Sequence, residues 1–241
     1  MKWLRTLVLF DRGDVVSSSD WQSIHQSFVR SIESIDSPTG SGRLVLRRKK
    51  QVPTSKQWNR NGVGFLRSRF LEHMVKIEGW QAEGEVDLQN LEEKPDFHLY
   101  PSMESYSEPI TSTFGDFDFV TTTTSGIRVA IEWETGNISS SHRSLNKLCI
   151  VLAAKKIQAG VLILPSKNLY EHLTDRIGNI GELSPYLGMW KSMGASVERG
   201  MLAIAVVEHD ELTDDPQFPY IKVGKDGRAA EGKGKRTELL T

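Results

Sequence analysis

Residues 131–147, IEWETGNISSSHRSLNK, open as a strand and close as a helix, and their reading decides the fold. In an extended chain, side chains two apart share a face, so Glu132 and Glu134 point the same way. Val129, Ala130, Ile131 and Trp133 make the strand around them apolar. A partly buried pair of like charges is costly there unless a cation compensates. Ser139–Ser141 then offer N-cap oxygens for a helix running to about Lys156.

Working outward, Phe117–Val120 reads as a strand joined to Ile127–Glu134 by Thr121–Gly126. Downstream come a short apolar strand at Gly160–Leu164, a helix over Lys167–Arg176 and a second short helix over Leu183–Ser192. Met201–Val207 reads as a buried strand. Near the start, Lys2–Phe10 is a strand, and Asp20–Ile35 is a helix with Trp21, Ile24, Phe28, Val29 and Ile32 at apolar positions. Ser37-Pro38-Thr39-Gly40 stops that helix. Leu44–Leu46 forms a short strand and Val63–Ile77 another helix, whereas 83–109 lacks periodicity and reads as an irregular connection. This order implies an α/β fold, a mixed central β-sheet flanked by helices. Residues 1–223 form a single domain, and 224–241 a basic, glycine-rich C-terminal tail.

At 241 residues the chain buries a core without needing a metal or disulfide to stay folded. Its 38% hydrophobic and 25% charged residues describe a soluble globular protein. Cys149 is the only cysteine, which excludes intramolecular disulfides and cysteine-rich zinc sites and points to a reducing cytoplasm. The opening MKWLRTLVLF has the basic start of a signal peptide, but Arg5 interrupts it and Asp11-Arg12 end it without a small-residue cleavage site. No stretch is apolar for long enough to cross a membrane. The formal net charge of −1 hides an uneven distribution. Between Asp36 and Glu72 there is no acid, yet Arg43, Arg47, Arg48, Lys49, Lys50 and several later basic residues lie there. Residues 83–96 are acidic. Such a pattern suits a protein that meets phosphate on one face and binds metal on carboxylates elsewhere.

The candidate metal site joins Asp118 on one strand to Glu132 and Glu134 on the next, if the two strands pair. Asp116 shares a face with Asp118 in any extended reading and is its rival. Clustered hard oxygens suit Mg2+, which takes one or two carboxylates and keeps waters for chemistry. Acid followed by acid-x-acid is a weak motif alone; its apolar setting is what singles it out.

The quoted segment, together with HLTDRIGNIGELSPYL at 172–187, resembles the BamHI family of type II restriction endonucleases, within the PD-(D/E)xK nuclease superfamily. The likeness is nearly gap-free from about Val129 to Leu187 and traceable from Asn61 to Glu83. It implies a Mg2+-dependent homodimer, in a prokaryotic cytoplasm, that cleaves both strands of a palindromic DNA duplex, with a cognate methyltransferase in the same system. Carried over by position, Asp118, Glu132 and Glu83 are the metal-holding acids. Glu134 stands where most nucleases of this fold carry lysine, and it is the general base for the attacking water.

Asn137, Ser139 and Arg143 match base-reading positions, as do Asp175 and Arg176, and together they imply the site GGATCC. Their chemistry agrees: Asn pairs with adenine, Arg with guanine, and Asp accepts from cytosine N4. Blander readings stand beside each one. Ser139 is equally a helix cap, Arg143 a phosphate contact, and Asp175–Arg176 a surface ion pair. His142 invites a catalytic role but reads better as a helix-facing or hydrogen-bonding residue, since the carboxylates already supply the chemistry, and Lys147 reads as either a phosphate neutraliser or a solvated surface charge. The tail is either a DNA-ordered arm or a solubilising extension. Rival functions are a nuclease of the same superfamily in repair or homing, and a binding protein that has lost cleavage.

Overall fold

The structure, a computed structural model, describes residues 1–87, 97–106, 116–174 and 176–222, and of Glu83 the backbone only. Six strands form one sheet: β1 (Lys2–Arg12), β2 (Ala82–Gly84), β3 (Phe117–Thr122), β4 (Arg128–Trp133), β5 (Ala159–Pro165) and β6 (Gly200–Glu208). Their spatial order is β1-β6-β5-β4-β3-β2. The central three, β4, β5 and β6, run parallel, while β1, β3 and β2 pair antiparallel at the flanks. This is the mixed α/β sheet that the order of elements implies.

Parallel strands need crossover helices, and those helices bury both sheet faces. That is why β5 reads AGVLILP, with every residue buried. On one face, α1 (Ser19–Glu33) and α2 (Val63–Lys76) pack Phe28, Ile32, Leu66 and Phe70 over Val129, Ile131, Val161 and Ile163. On the other, α3 (Ile138–Ala153) lays Leu145, Leu148 and Leu152 over Ala130, Leu162 and Leu202. Trp190 joins this second core and donates its indole N–H to Asn146 Oδ1 at 3.0 Å.

Several sequence expectations are corrected. The helix expected over 167–176 ends at Tyr170, because Leu173 and Thr174 are drawn into pairing with Asn61. Thr174 N–H donates to Asn61 O at 2.8 Å, and Asn61 N–H donates to His172 O at 2.9 Å. The helix expected over 183–192 is broken into Ile180–Leu183, a 3-10 turn at Ser184–Tyr186 and a helix at Leu187–Met193, with Pro185 inside the turn. Proline supplies no N–H to a continuous helix. The connection expected to be irregular contributes β2, whose Gly84 lies against Phe117. A Cβ on Gly84 would stand 2.4 Å from Val120 Cβ, so only glycine lets this edge strand close on β3. The expected C-terminal tail lies outside the described residues.

The basic stretch between Asp36 and Glu72 is not simply an open cationic face. Arg43 pairs with Glu211 at 3.2 Å, Arg48 with Asp214 at 3.2 Å and Lys49 with Glu171 at 3.3 Å. Arg69 reaches Asp36 at 3.4 Å. Much of this charge is therefore matched inside the molecule, by acids remote in sequence.

Candidate active site

The β3–β4 ladder runs from Thr122↔Arg128 to Phe119↔Ile131 and then stops. The next backbone donor on β4, Trp133 N–H, goes instead to the carboxylate of Asp118, at 2.7 Å from Oδ2. Asp118 thus takes the place of a strand carbonyl and splays the hairpin end. Its other oxygen, Oδ1, accepts from Arg67 on α2, through Nε at 3.2 Å and through a terminal guanidinium nitrogen as well. Asp118 is buried, while Asp116 is exposed and offers the pocket only its backbone carbonyl.

Glu132, the penultimate residue of β4, puts Oε1 at 2.7 Å from Lys147 Nζ. Lys147 also donates to Asp116 O at 2.8 Å and lies 3.9 Å from the Phe117 ring centroid. It is buried on α3, which corrects both readings of it as a phosphate or surface charge. Burial pushes the Glu132 carboxyl up, Lys147 pulls it down, and the nearby Asp118 charge raises it again.

Glu134 lies one residue past β4, tied to β5 by its N–H to Ile163 O at 2.9 Å. Its Oε1 accepts from Gly136 N–H at 2.6 Å, whereas Oε2 is buried with no hydrogen-bond partner among the described residues. Burial is the main cause that pushes its carboxyl up to about 7. The Ser141 hydroxyl and Gly136 N–H favour the ionised form, although no close hydrogen bond joins Ser141 to Glu134, and Glu132 and Asp118 disfavour it.

Asn137 caps α3: its Oδ1 accepts from Ser139 N–H at 2.9 Å and Ser140 N–H at 3.3 Å. The cap is therefore Asn137 and not Ser139–Ser141, because the chain turns helical at Ile138. Asn137 also bridges Ile177, and Gly178 N–H donates to Gly136 O at 3.1 Å. This contact sets Arg176 beside the start of α3. A Cβ on Gly178 would stand 2.0 Å from Ser141 Oγ, so glycine is what permits the approach. Asn137, Ser139, Arg143 and Arg176 are all exposed. Arg176 has a left-handed φ of 48°, while Asp175 lies outside the described residues. His142 packs against Tyr186 and Trp190, at 4.4 and 5.1 Å between ring centroids, away from the carboxylates.

The structure thus gathers Asp118, Glu132 and Glu134 at one strand end and places the reading candidates on an adjoining exposed rim. Glu83 lies in β2, two strands from Glu132, and its side chain is outside the description. Sequence reasoning misses Arg67, which along the chain reads only as one of the later basic residues between Asp36 and Glu72. For Lys147 a signal existed: it sits directly before Leu148 on the packed side of an amphipathic helix.

Among the described residues no group of three or more His, Cys, Asp or Glu side chains is placed to hold a metal ion. Asp118 and Glu132 still fit Mg2+ in kind, because that ion commonly takes only one or two protein carboxylates. Glu134 Oε2, a buried oxygen without a partner, marks the same pocket as one built for a further positive or donor group.

Residues 1–228 match the family described as restriction endonuclease BamHI. The type II restriction enzyme OkrAI of Oceanobacter kriegii is 48% identical over 104 residues, covering 43% of this chain and 52% of OkrAI. The type II restriction enzyme BamHI of Bacillus amyloliquefaciens is 51% identical over 59 residues, covering 24% of this chain and 28% of that enzyme. The matched stretch thus spans about half the length of OkrAI and less of BamHI. The crystal structure of the restriction endonuclease BglII complexed with a DNA 16-mer superposes with a TM-score of 0.51 at 8% identity, covering 86% of this chain and 79% of that one. At that identity the likeness concerns the fold alone.

Proposed function

The chain belongs to the BamHI family of restriction endonucleases, and from that membership we propose that it is a type II enzyme hydrolysing double-stranded DNA at the palindrome GGATCC. The observation that carries the proposal is the juxtaposition at the end of β4. Buried Asp118 and Glu134 and half-buried Glu132 meet at the strand end that leads into an exposed rim bearing Asn137, Ser139 and Arg143.

In this reading Asp118 and Glu132, with Glu83, would hold Mg2+, which would supply charge to polarise the scissile phosphate and stabilise the leaving oxygen. Glu134 takes the proton of the attacking water at Oε2, the carboxylate oxygen that no described group occupies. Gly136 N–H holds Oε1 and fixes which way Oε2 points. Arg143 and Arg176 take guanine, Asp175 accepts from cytosine N4, and Ser139 reaches either a donor or an acceptor. Asn137 Oδ1 is taken up by the two N–H groups of the α3 cap, so adenine is read through the Asn137 amide nitrogen, donating to N7. A palindromic site calls for a homodimer, and cutting it in a living cell calls for a methyltransferase that protects the same sequence. Among the described residues no helix is long and apolar enough to cross a membrane.

Incubation with a mapped plasmid in Mg2+, and in parallel with Ca2+, tests the proposal. Discrete fragments ending within GGATCC are expected in Mg2+ only. Fragments at another palindrome retain the nuclease and reject the assignment of Asn137, Ser139, Arg143, Asp175 or Arg176. No cutting in any divalent ion rejects the activity.

A further inference from the structure

We propose that Lys147 is a built-in counter-ion of the catalytic pocket: a positioning residue whose ammonium stands in for a divalent cation at Glu132 and competes with it. The proposal rests on Glu132 being a metal ligand.

Lysine is almost never fully buried unless paired, and Lys147 is only 5% exposed. Its Nζ meets Glu132 Oε1 at 2.7 Å, Asp116 O at 2.8 Å and the Phe117 ring at 3.9 Å from the centroid. A carboxylate, a carbonyl and a π-face together make a cation cage, contributed by two strands and filled from α3. Arg67 on Asp118 provides the contrast. Its side chain is 32% exposed, whereas the Lys147 side chain is 6% exposed. Arg67 can swing aside for an incoming ion, but Lys147 stays within reach of it.

Two consequences follow from Coulomb's law at these separations. In the metal-free protein the ammonium holds Glu132 Oε1 at 2.7 Å. When a divalent ion arrives, the same ammonium repels it and shares its ligand, so the ion binds less tightly than the bare carboxylates would allow. A lysine that served only to pin α3 to the sheet would act in the opposite sense, since its loss would loosen Glu132 and weaken the metal.

The test is calorimetric titration of Ca2+ into the full chain without DNA, comparing wild type with Lys147→Met and Lys147→Gln. Methionine keeps the stem length and removes the charge; glutamine keeps a hydrogen-bond donor for Asp116 O. Both are expected to bind Ca2+ more tightly than wild type, on the order of tenfold. Their melting temperatures should rise more on adding Ca2+ than that of wild type. Should either variant fold only when Ca2+ is present, the ion has replaced the ammonium and the proposal stands. Unchanged or weaker Ca2+ binding by folded variants overturns it, as does failure of both to fold even with Ca2+. A wild type that cuts DNA in Mg2+ while the variants gain no affinity defeats this proposal alone. A wild type that neither binds Ca2+ nor cuts defeats it together with the metal-site reading.

Discussion

Glu134 and Asn137 are three residues apart, yet one is sealed and the other open. Glu134 sits under the Gly136–Gly178 contact with one oxygen held and the other unpartnered among the described residues. Asn137 and Ser139 face outward, and their backbone needs are met locally by the α3 cap. The difference teaches how, under the proposed function, one short segment would serve two tasks. Proton transfer demands a dry, preorganised carboxylate, whereas base reading demands donors and acceptors that a duplex can reach.

The largest test of this contrast is Glu134→Gln, which keeps the shape and removes the base. DNA cleavage should fall by roughly 10²–10⁴-fold in single-turnover assays, while binding to the specific site in Ca2+ is retained. Wild-type-like cutting would remove Glu134 from the chemistry and leave the sealed pocket unexplained.

The next effect is on pH. The Glu134 carboxyl is pushed up from 4.5 to about 7 in the folded protein, so the native state holds this proton more tightly than the unfolded chain does. The metal-free protein therefore loses stability as pH rises from 4.5 to 7, and this group adds no further slope above that. The loss amounts to roughly 2–3 kcal/mol over the window. Urea unfolding at several pH values, with Glu134→Gln as the flat control, measures it. Equal slopes in both proteins would show that Glu134 is not the desolvated group its burial indicates.

Gly178→Ala attacks the contact that joins the two regions. The added methyl would meet Ser141 Oγ at 2.0 Å, so a cost of about 2 kcal/mol is expected, with weaker specific binding because the loop carrying Arg176 must lift. Stability near that of wild type would mean the rim is not seated on the pocket as drawn. The smallest pair of changes sharpens the rim itself. Asn137→Ala should cost about 1 kcal/mol through loss of the helix cap, while Ser139→Ala stays within about 0.5 kcal/mol, by thermal unfolding without DNA. If Ser139→Ala costs the more, the cap has been assigned to the wrong residue.

Elements with one dominant period were legible in the sequence: α1, α2 and α3 fall within a few residues of their expected bounds, as do β3, β4, β5 and β6. The exceptions share a cause. Thr174 and Leu173 leave helical geometry because Asn61, more than a hundred residues earlier, takes their backbone bonds. Gly84 joins the sheet by fitting against Val120, a steric match that no local pattern displays. In the pocket, Glu132, Glu134 and Asp118 were found because acids on an apolar strand are costly and therefore conspicuous. Arg67 was not, because a basic residue on an amphipathic helix looks the same whether it meets water or a buried aspartate.

What the sequence determined by itself is the mixed α/β fold, through its periodicity, and the family, through the resemblance carried by residues 131–147 and 172–187; residue chemistry along the chain also singles out Asp118, Glu132 and Glu134 as candidates. Only the tertiary structure decided the partners. It set Arg67 on Asp118, Lys147 on Glu132, nothing among the described residues on Glu134 Oε2, and Asn137 at the head of α3. Pairing energies depend on distance and desolvation between groups far apart in sequence, and those quantities exist only once the chain has folded.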